Sequence, residues 1–549
     1  MTTEEFRVKI VGYCSYGKDD VLKEFLEHGA GSLLELEGDY VIVVESSCES
    51  YIVSSTYCVV PYYYTLFEDK LFHGETVIDI LRESCMPCSW NWRALADLVQ
   101  LDYVLENETL HTRIHRVPNA SILHFKDGTV KVFSLSWEEV HGSFNGDPEE
   151  ALKALNESVR IWANSTVIVA MSAGFDSRLI LSSLLEEGFR PTLLSMGGDD
   201  CEDVIVPRLI ASSLGLKHIQ AELNLEDYLT HAKRIAYLTN GTKNAWHWHS
   251  YIYPLKAKIV PEVPFFVGTF GEFARSKHLD GGVAVLVADF LPASFTLRLF
   301  WRERLEKRVF RKEELAGMNP QFSSEFSHVK QEERIHRLVR LCRKQFLSGL
   351  DRFRAEQTLR NFEGMGLKLV SASVSARMPF VARGWAGSVW NLDRVWKLGC
   401  RWHRWAIARN YPALLNFPEE HGGREMCWRP PLSYWLRTGF GIRETIMKLL
   451  SAKKSFMPES PRSGKGRPYA PYGEWFRSSR ILDFIAENAH LLSDIMSRSV
   501  VDSVVEEQRA RGSRTAAIAF LLNLVFWKIN LDEVYGGRHS SQTKPASNG

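Results

Sequence analysis

The stretch that decides the fold is STVIVAMSAGFDSRLILSSLLEEGFRPTLLSMGG, residues 165–198. A β-branched run ends at Met171, a turn of small residues follows, and a helical pattern starts by Ser177. Strands that alternate with helices of roughly 10–15 residues are typical of a parallel, doubly wound sheet. Because this alternation continues to about residue 268, the sequence predicts an α/β domain.

The segments on either side of this alternation have different patterns. Residues 1–140 contain β-branched and aromatic runs separated by Gly, Asp and Asn, which predicts an α+β domain with antiparallel sheets. From about residue 285 the pattern is almost entirely helical, and we place this half in one domain with the parallel sheet, at 148–535. The polar tail 536–549 is predicted to be disordered.

The bulk composition excludes several classes of protein. The chain has 549 residues, 45% hydrophobic and 24% charged, with a net charge of +1. A neutral chain has no general attraction to nucleic acid or anionic membranes, and we find no apolar run of the ~20 residues that a membrane span needs. Nine scattered cysteines and no leader pattern favour a cytoplasmic protein with reduced thiols. We expect neither nucleic-acid nor membrane partners, and a homodimer is one alternative for the oligomeric state.

The turn between the strand and the helix has the chemistry of a phosphate site. Its residues are Ser172, Ala173, Gly174, Phe175, Asp176 and Ser177. Backbone N–H groups at a helix N-terminus attract anions, and small residues let a phosphate approach the main chain. An aspartate beside a phosphate is repulsive unless a divalent cation lies between them. The turn therefore predicts pyrophosphate and Mg²⁺, with a tight turn capped by Asp and Ser as the alternative.

The turn resembles the SGGxDS pyrophosphate loop of the ATP-pyrophosphatase (PP-loop) enzymes. Its surroundings resemble the asparagine synthetase type of that family, which includes β-lactam synthetases and lasso-peptide macrolactam synthetases. The segments that carry the resemblance are LLSMGG (193–198), VGTFGEFAR (267–275), SVSARMPFVARGWAG (373–387), RWHRWAIARNYPALL (401–415) and GKGRPYAPYGEWFR (464–477). Upstream, LLELEGDYVIVVE and STYCVVPYYYTLFEDKLFHG are similar to strands of the family's glutamine amidotransferase domain. The resemblance covers roughly residues 30–535.

The resemblance implies an ATP-dependent ligase with ATP and Mg²⁺ as cofactors. Such an enzyme adenylates a small-molecule or peptide carboxylate, releases pyrophosphate and joins the acyl group to an amine donor. The N-terminal domain would have the Ntn-hydrolase-like fold of a class II glutamine amidotransferase. A glutaminase of this class needs cysteine directly after the initiator Met, where this chain has Thr2. We therefore expect a degenerate domain without glutaminase activity.

The resemblance also implies roles for individual residues. Asp176 and Glu272 would hold Mg²⁺, and Lys465 and Arg377 would be catalytic; an ion pair that supports the fold is the alternative for Arg377. The residues implied to border ATP and pyrophosphate are Ser172, Ala173, Gly174, Phe175, Asp176, Ser177, Leu194, Ser195, Met196 and Gly268. Lys453 or Lys454 could supply the cation in place of Lys465.

The sequence departs from the family pattern at three positions. Ala173 and Glu272 replace the usual glycine and aspartate, and Ser375 stands where many members carry glutamate. An asparagine synthetase that uses ammonia or glutamine and a catalytically inactive nucleotide-binding protein are therefore alternatives. His247 and His249 are spaced i, i+2 with no carboxylate cluster beside them in sequence, so we expect them to pack in an aromatic helix.

Overall fold

The computed structural model describes residues 6–275, 291–305, 309–343, 345–418 and 469–541. Within the first 140 residues it has two antiparallel sheets. Their strands are β1 (Arg7–Cys14), β2 (Gly38–Glu45), β3 (Glu49–Ser54), β4 (Tyr63–Phe67), β5 (Lys70–Gly74), β6 (His115–Arg116), β7 (Ser121–Lys126) and β8 (Thr129–Ser134). One sheet has the order β1-β2-β3-β7-β8 and the other β5-β4-β6. The predicted α+β organisation of this part is confirmed.

The helices of the first half cover these sheets and the sheet that follows. They are α1 (Lys18–His28), α2 (Val77–Ser84), α3 (Trp92–Leu101), α4 (Trp137–His141), α5 (Pro148–Trp162), α6 (Phe175–Glu186), α7 (Glu202–Leu214), α8 (Leu225–Leu238) and α9 (His249–Lys256). Strand β2 shows why the first sheet is stable. Its alternate residues enter two separate cores, with Tyr40 and Ile42 in one and Val41 and Val43 in the other.

A five-stranded parallel sheet follows. Its strands are β9 (Ile168–Ala170), β10 (Thr192–Met196), β11 (His218–Ala221), β12 (Pro264–Phe266) and β13 (Ser375–Arg377). They lie in the order β11-β10-β9-β12-β13, with every neighbouring pair parallel. The chain therefore proceeds to one side of β9 and then to the other. Because ligands of open α/β sheets bind where the strand order reverses, the turn after β9 lies at the expected position for a site.

The remaining described residues are mostly helical, as predicted. The helices are α10 (Ala293–Leu305), α11 (Lys312–Leu315), α12 (Pro320–Ser324), α13 (His328–Leu341), α14 (Leu347–Phe353), α15 (Gly364–Ser371), α16 (Arg383–Trp390), α17 (Arg394–Lys397), α18 (Arg401–Asn410), α19 (Tyr472–Trp475), α20 (Ser479–Glu487), α21 (Arg498–Arg511) and α22 (Thr515–Ser541). A π-helix, Arg354–Glu363, joins α14 to α15. Strand β13 is the exception within this half, since three residues there pair with β12. A strand this short has no periodicity of its own to reveal it.

Short 3₁₀ turns complete the described elements. They are Ser32–Glu35, Ala245–His247, Gly271–Arg275, Pro379–Val381, Leu398–Cys400, Pro412–Asn416 and Ala489–Leu492. Two of them, Ala245–His247 and Gly271–Arg275, carry residues of the site described below.

The last helix departs from two predictions. Helix α22 continues through Ser541, so the first residues of the predicted disordered tail are helical, and 542–549 lie outside the described residues. Buried Leu531 and Val534 anchor this end of the helix. By length and composition, Thr515–Gly536 is also apolar enough to cross a membrane, contrary to the prediction that no such run exists. Its most apolar window is 72% buried inside the protein, as is usual for a core helix.

A buried ionic network joins the N-terminal part to the helical half. The carboxylate of Asp97 on α3 is 0% exposed and accepts hydrogen bonds from Arg334 Nε and Arg337 Nη1 on α13, each at 2.8 Å. Arg337 also pairs with Glu106 at 2.5 Å. The network holds α3 against α13, and the C-terminal end of α3 contributes to the site below.

Replacing Asp97 by alanine should destabilise the protein by up to about 3–5 kcal/mol, because two buried guanidinium groups would each lose one carboxylate partner and keep only Glu325 or Glu106 and Glu108. Chemical unfolding followed by tryptophan fluorescence measures this loss. Asp502→Ala is the matched control, since Asp502 pairs with Arg498 at 3.5 Å on an exposed helix face. Its effect should stay within about 0.5 kcal/mol. Equal effects of the two substitutions would contradict a stabilising role for the network.

Candidate active site

A cavity of about 700 Å³ lies at the carboxyl ends of β9, β10 and β12. This volume is within the range of ~300–1,000 Å³ that ligand pockets occupy. Distant parts of the chain form its walls, including the end of α3, the turn after β9, the segment between α8 and α9, and the π-helix. The cavity therefore depends on contacts between the N-terminal part and the helical half.

Six of the predicted site residues line this one cavity. They are Ser172, Asp176, Leu194, Met196, Gly268 and Glu272. Ser195 lies between two of them in sequence, but its side chain points to the other face of β10, because side chains alternate along a strand. There its hydroxyl group is 2.7 Å from His218 Nε2. Ser195 is therefore not among the residues that line the cavity, and its contact with the nucleotide stays a prediction.

The remaining loop residues form the frame of the turn. The backbone N–H of Ser172 donates to Ser177 Oγ (3.1 Å), and that of Gly174 donates to Ser172 Oγ (3.2 Å). The N–H of Ala173 donates to Asp203 Oδ1 at 2.9 Å, so this amide already binds an anionic oxygen. Helix α6 then begins at Phe175 with no side chain capping its first turn. The unpaired N–H groups of such a turn are suited to an anion.

Buried side chains fix the turn from behind. Arg178 is 0% exposed and donates to the backbone oxygen of Ala173 at 3.0 Å. It also donates to the backbone oxygens of Leu414, Phe417 and Pro418, at 3.3, 3.1 and 2.7 Å. The turn is thereby tied to the segment after α18. Ala173 does not have a positive φ, so alanine adopts this backbone without strain.

Asp176 is held in its ionised form by basic neighbours. Its Oδ1 is 2.9 Å from Nε2 of the fully buried His403, and its Oδ2 is 3.9 Å from Arg275 Nη2. Burial alone would raise the pKa of Asp176, but the hydrogen bond from His403 and the guanidinium groups of Arg275 and Arg354 lower it below its usual value. His403 and Arg275 both lie in segments that carry the family resemblance, yet the sequence did not mark either as a site residue.

Glu272 reaches the same point from the 3₁₀ turn Gly271–Arg275. It forms an ion pair with Arg354 of the π-helix, and it lies 3.9 Å from the same Arg275 Nη2 that contacts Asp176. Glycine at 271 makes this approach possible, because a Cβ atom there would lie 2.7 Å from Asp176 Cβ. The two predicted metal ligands therefore converge on one cation, the guanidinium of Arg275.

The chemistry of this pair fits Mg²⁺ in part. Mg²⁺ commonly binds through one or two carboxylates together with substrate phosphates, and Asp176 and Glu272 would supply the two carboxylates. Within the described ranges no group of three or more His, Cys, Asp or Glu side chains is placed to hold a metal ion. Any Mg²⁺ at Asp176 and Glu272 would thus take further ligands from a bound phosphate or water, and it would displace Arg275.

Lys243 is a cavity residue that the sequence did not indicate. Its side chain is 3% exposed, its Nζ donates to the backbone oxygen of Phe362 at 2.7 Å, and the same Nζ lies 3.4 Å from the Phe362 ring centroid. Burial lowers the pKa of Lys243 to about 8, although the carboxylates of Asp102 and Glu363 oppose this shift. A buried lysine in a cleft with such a shift is a candidate functional residue.

The aromatic packing predicted for His247 and His249 is present, and His247 also contacts a single carboxylate that is remote in sequence. Both histidines line the cavity. His247 Nε2 is 2.8 Å from Oδ2 of Asp102, which lies 145 residues earlier at the end of α3. No local spacing rule could reveal a pair formed by the folding of two distant segments.

Arg377, one of the two predicted catalytic residues, does not line this cavity. Arg377 and Ser375 line a different cavity of about 390 Å³. The guanidinium of Arg377 lies 4.6 Å from the ring centroid of Tyr13 and donates to the backbone oxygen of Ala376 at 2.9 Å. The guanidinium therefore packs against the N-terminal sheet, and its catalytic role stays a prediction. The three candidate lysines, Lys453, Lys454 and Lys465, lie outside the described residues.

Comparisons with known proteins do not assign a family. No family model matches the chain, and no curated protein matches it. Two matching solved structures are a glutamine phosphoribosylpyrophosphate amidotransferase from B. subtilis complexed with ADP and GMP, and an allosteric regulatory enzyme of purine biosynthesis. Each has 11% identity and a TM-score of 0.19, and covers 49% of this chain. The matches span 62% and 61% of those chains, and likeness at this level carries no functional argument.

The pKa of Lys243 predicts how stability depends on pH. Below pH 8 the lysine is protonated in the folded and the unfolded chain, so the cost of burying its charge is present in full. Between pH 8 and about 10.4 the folded chain loses this proton while the unfolded chain keeps it, so stability should rise by about 1.4 kcal/mol per pH unit from this group.

The difference in unfolding free energy between the wild type and Lys243→Met, measured from pH 7 to about pH 10, isolates this contribution. Lys233→Met is the matched control, because Lys233 lies on the exposed side of α8 in an ion pair with Glu533. The control should follow the wild type. A constant difference between wild type and Lys243→Met across this pH range would contradict the lowered pKa.

Proposed function

We propose that the chain is an ATP-dependent ligase that adenylates a carboxylate and joins it to an amine, with release of pyrophosphate and AMP. One observation carries this proposal. The uncapped turn at Ser172–Ser177 and the carboxylates of Asp176 and Glu272 border a single cavity at the point where the parallel strand order reverses. Phosphate binding and metal binding are the two requirements for adenylation that this arrangement meets.

The walls suggest how ATP would be oriented. Leu194 and Met196 offer an apolar surface at the end of β10, which suits the adenine ring. The first turn of α6 and the hydroxyl of Ser172 offer hydrogen-bond donors for the phosphates. Gly268 allows the chain after β12 to lie against this turn, since a Cβ there would be 3.1 Å from Ser177 N. The nucleotide would therefore lie along the carboxyl edge of the sheet.

The charges in the cavity suit a step in which pyrophosphate leaves. Negative charge develops on the phosphates when the substrate carboxylate attacks the α-phosphate, and fixed positive groups stabilise it without reorganisation. Lys243, Arg304 and Arg354 line the cavity and can supply this charge. Mg²⁺ held by Asp176 and Glu272 would neutralise the leaving pyrophosphate when bound. The family resemblance assigns a stabilising positive charge to a lysine that lies outside the described residues. Lys243 would supply such a charge from within the cavity.

A nucleotide-binding protein without catalysis is the second candidate. The observation that favours it is the pairing of both carboxylates with arginines, Asp176 with Arg275 and Glu272 with Arg275 and Arg354. In a ligase these pairs must open when the metal and nucleotide enter. In a pure binding protein they would stay closed and hold the cavity wall.

Exchange of radioactive pyrophosphate into ATP tests adenylation directly, because it requires a reversible first step and no amine. We expect exchange with Mg·ATP and at least one carboxylate from a panel of amino acids, including aspartate, and short peptides. Asp176→Asn should reduce the exchange rate by about 100-fold, since it removes charge at the metal position. Ser213→Ala, at an exposed position on α7, is the control and should exchange at the wild-type rate.

Two other outcomes separate the candidates. Binding of Mg·ATP that Asp176→Asn weakens, with no exchange for any carboxylate, would favour the nucleotide-binding protein. No binding of Mg·ATP to the wild type would contradict both. Among the active outcomes, product formation from aspartate with ammonium but not glutamine would favour an ammonia-dependent asparagine synthetase, and product with glutamine would contradict the expected lack of glutaminase activity.

A further inference from the structure

The end of the cavity formed by α3 and the segment 243–249 contains a histidine–aspartate pair with unused proton-accepting capacity. His247 Nε2 lies 2.8 Å from Asp102 Oδ2. Among the described residues, the other ring nitrogen of His247, Nδ1, has no hydrogen-bond partner. The carboxylate accepts a hydrogen bond from Nε2–H, so the neutral ring has its lone pair on Nδ1. The side chain of His247 is 15% exposed and lines the cavity.

Asp102 is fixed in place by several groups. It ends α3 in the left-handed conformation, with φ 72° and ψ 11°, which short polar side chains tolerate better than most. Its carboxylate accepts hydrogen bonds from Asn244 Nδ2 and from Trp246 Nε1, the latter at 3.3 Å, in addition to His247. These donors keep the carboxylate aimed at the imidazole. Such a carboxylate fixes the tautomer of a histidine and stabilises the imidazolium that forms when the ring takes a proton.

The segment that carries His247 is equally constrained. It is preceded by Gly241 at φ 68°, where a Cβ atom would lie 2.5 Å from Trp527 Cγ. The backbone oxygen of Gly241 accepts a hydrogen bond from Asn523 at 2.6 Å. Phe362 of the π-helix meets the His247 ring edge to face, with centroids 4.9 Å apart. The ring is therefore held at the cavity wall rather than free to rotate into solvent.

We propose that His247, positioned by Asp102, is the general base of the amide-forming step, and that this end of the cavity receives the amine substrate. The inference rests on the proposed ligase function, because it assigns the second half of that reaction. In the proposed function the turn at Ser172–Ser177 serves the adenylation step, and His247 is assigned to the amide-forming step. The titratable and charged groups beside the ring are Asp102, Lys243 and His249.

The amine nitrogen attacks the acyl carbon of the acyl-adenylate, and a C–N bond forms. The C–O bond to the phosphate breaks, and AMP leaves with the electron pair. The surplus proton on the nitrogen passes to Nδ1 of His247, and Asp102 stabilises the resulting imidazolium. Burial lowers the pKa of His247 despite the opposing effect of Asp102, so the ring is neutral and ready to accept this proton at neutral pH.

The test separates the two halves of the reaction in the full-length protein. The variants are His247→Gln and Asp102→Asn, with His231→Gln as control, because His231 lies on α8 and packs on Tyr251 outside the cavity. The carboxylate is the one that supports pyrophosphate exchange in the wild type. The amines are ammonium and hydroxylamine, of which hydroxylamine is largely unprotonated at neutral pH and needs little help from a base.

We expect His247→Gln to keep pyrophosphate exchange within about twofold of the wild type and to lose about 100-fold in amide formation from ammonium. Hydroxylamine should restore most of the lost rate. Asp102→Asn should show the same split with a smaller loss, because a positioning residue acts through the histidine. The control should match the wild type with both amines, and thermal melting checks that every variant is folded.

Two results would overturn the proposal. In one, His247→Gln slows exchange as much as amide formation, which would place the histidine in nucleotide binding or in the fold. In the other, the rates with ammonium and hydroxylamine fall equally. Failure of the proposed ligase function is separate and visible in the wild type, which would then show no exchange with any carboxylate.

Discussion

The site depends on the hydrogen bonds that the buried guanidinium of Arg178 donates. This guanidinium lies inside the protein and donates both to the turn that follows β9, at Ala173, and to three backbone oxygens after α18. Burying an unsatisfied charge is costly, so this side chain requires the turn and the helical half to stay together. The hydrogen bonds that order the turn therefore also tie it to the segment after α18.

The cavity combines charges of both signs that balance each other locally. Asp176 and Glu272 share Arg275, while Arg354 and His403 each hold one of the two carboxylates. In the proposed function Mg²⁺ would take the place of the Arg275 guanidinium between these two carboxylates, and a phosphate would add to the metal. The opposite end is organised differently, around Asp102 and His247, and holds a proton acceptor rather than a phosphate site. The two ends of the cavity thus differ in their charged groups, which fits the proposed reaction of two steps with two kinds of substrate.

The sequence could predict those parts of the site whose chemistry lies in a short continuous stretch. The turn from Ser172 to Ser177 follows a strand and starts a helix, and its position at the edge of a parallel sheet is confirmed. Glu272 lies at the cavity because it follows another strand of the same sheet, and the motif in which it lies predicted this position. The side chain of Ser195 contacts His218 instead of lining the cavity, because motif boundaries do not show which face of a strand a side chain occupies.

Other parts depend on tertiary contacts that no local pattern encodes. His247 meets a carboxylate 145 residues away, and Lys243 becomes a perturbed group only because the fold buries it beside Phe362. Arg377 lies in a segment that resembles a family motif, yet it packs on Tyr13 and Trp162 and lines a different cavity. Strand β13 is formed by pairing with β12 and has three residues. In each case the deciding partner is remote in sequence.

An experimental structure with Mg²⁺ and α,β-methylene-ATP, which cannot be cleaved between the α- and β-phosphates, tests the central claim most directly. We expect phosphates against the first turn of α6 and Ser172, with adenine beside Leu194 and Met196. We also expect Mg²⁺ between Asp176 and Glu272, with Arg275 moved away from both. Nucleotide bound elsewhere, or bound here with Arg275 still joining the two carboxylates and no metal between them, would contradict it.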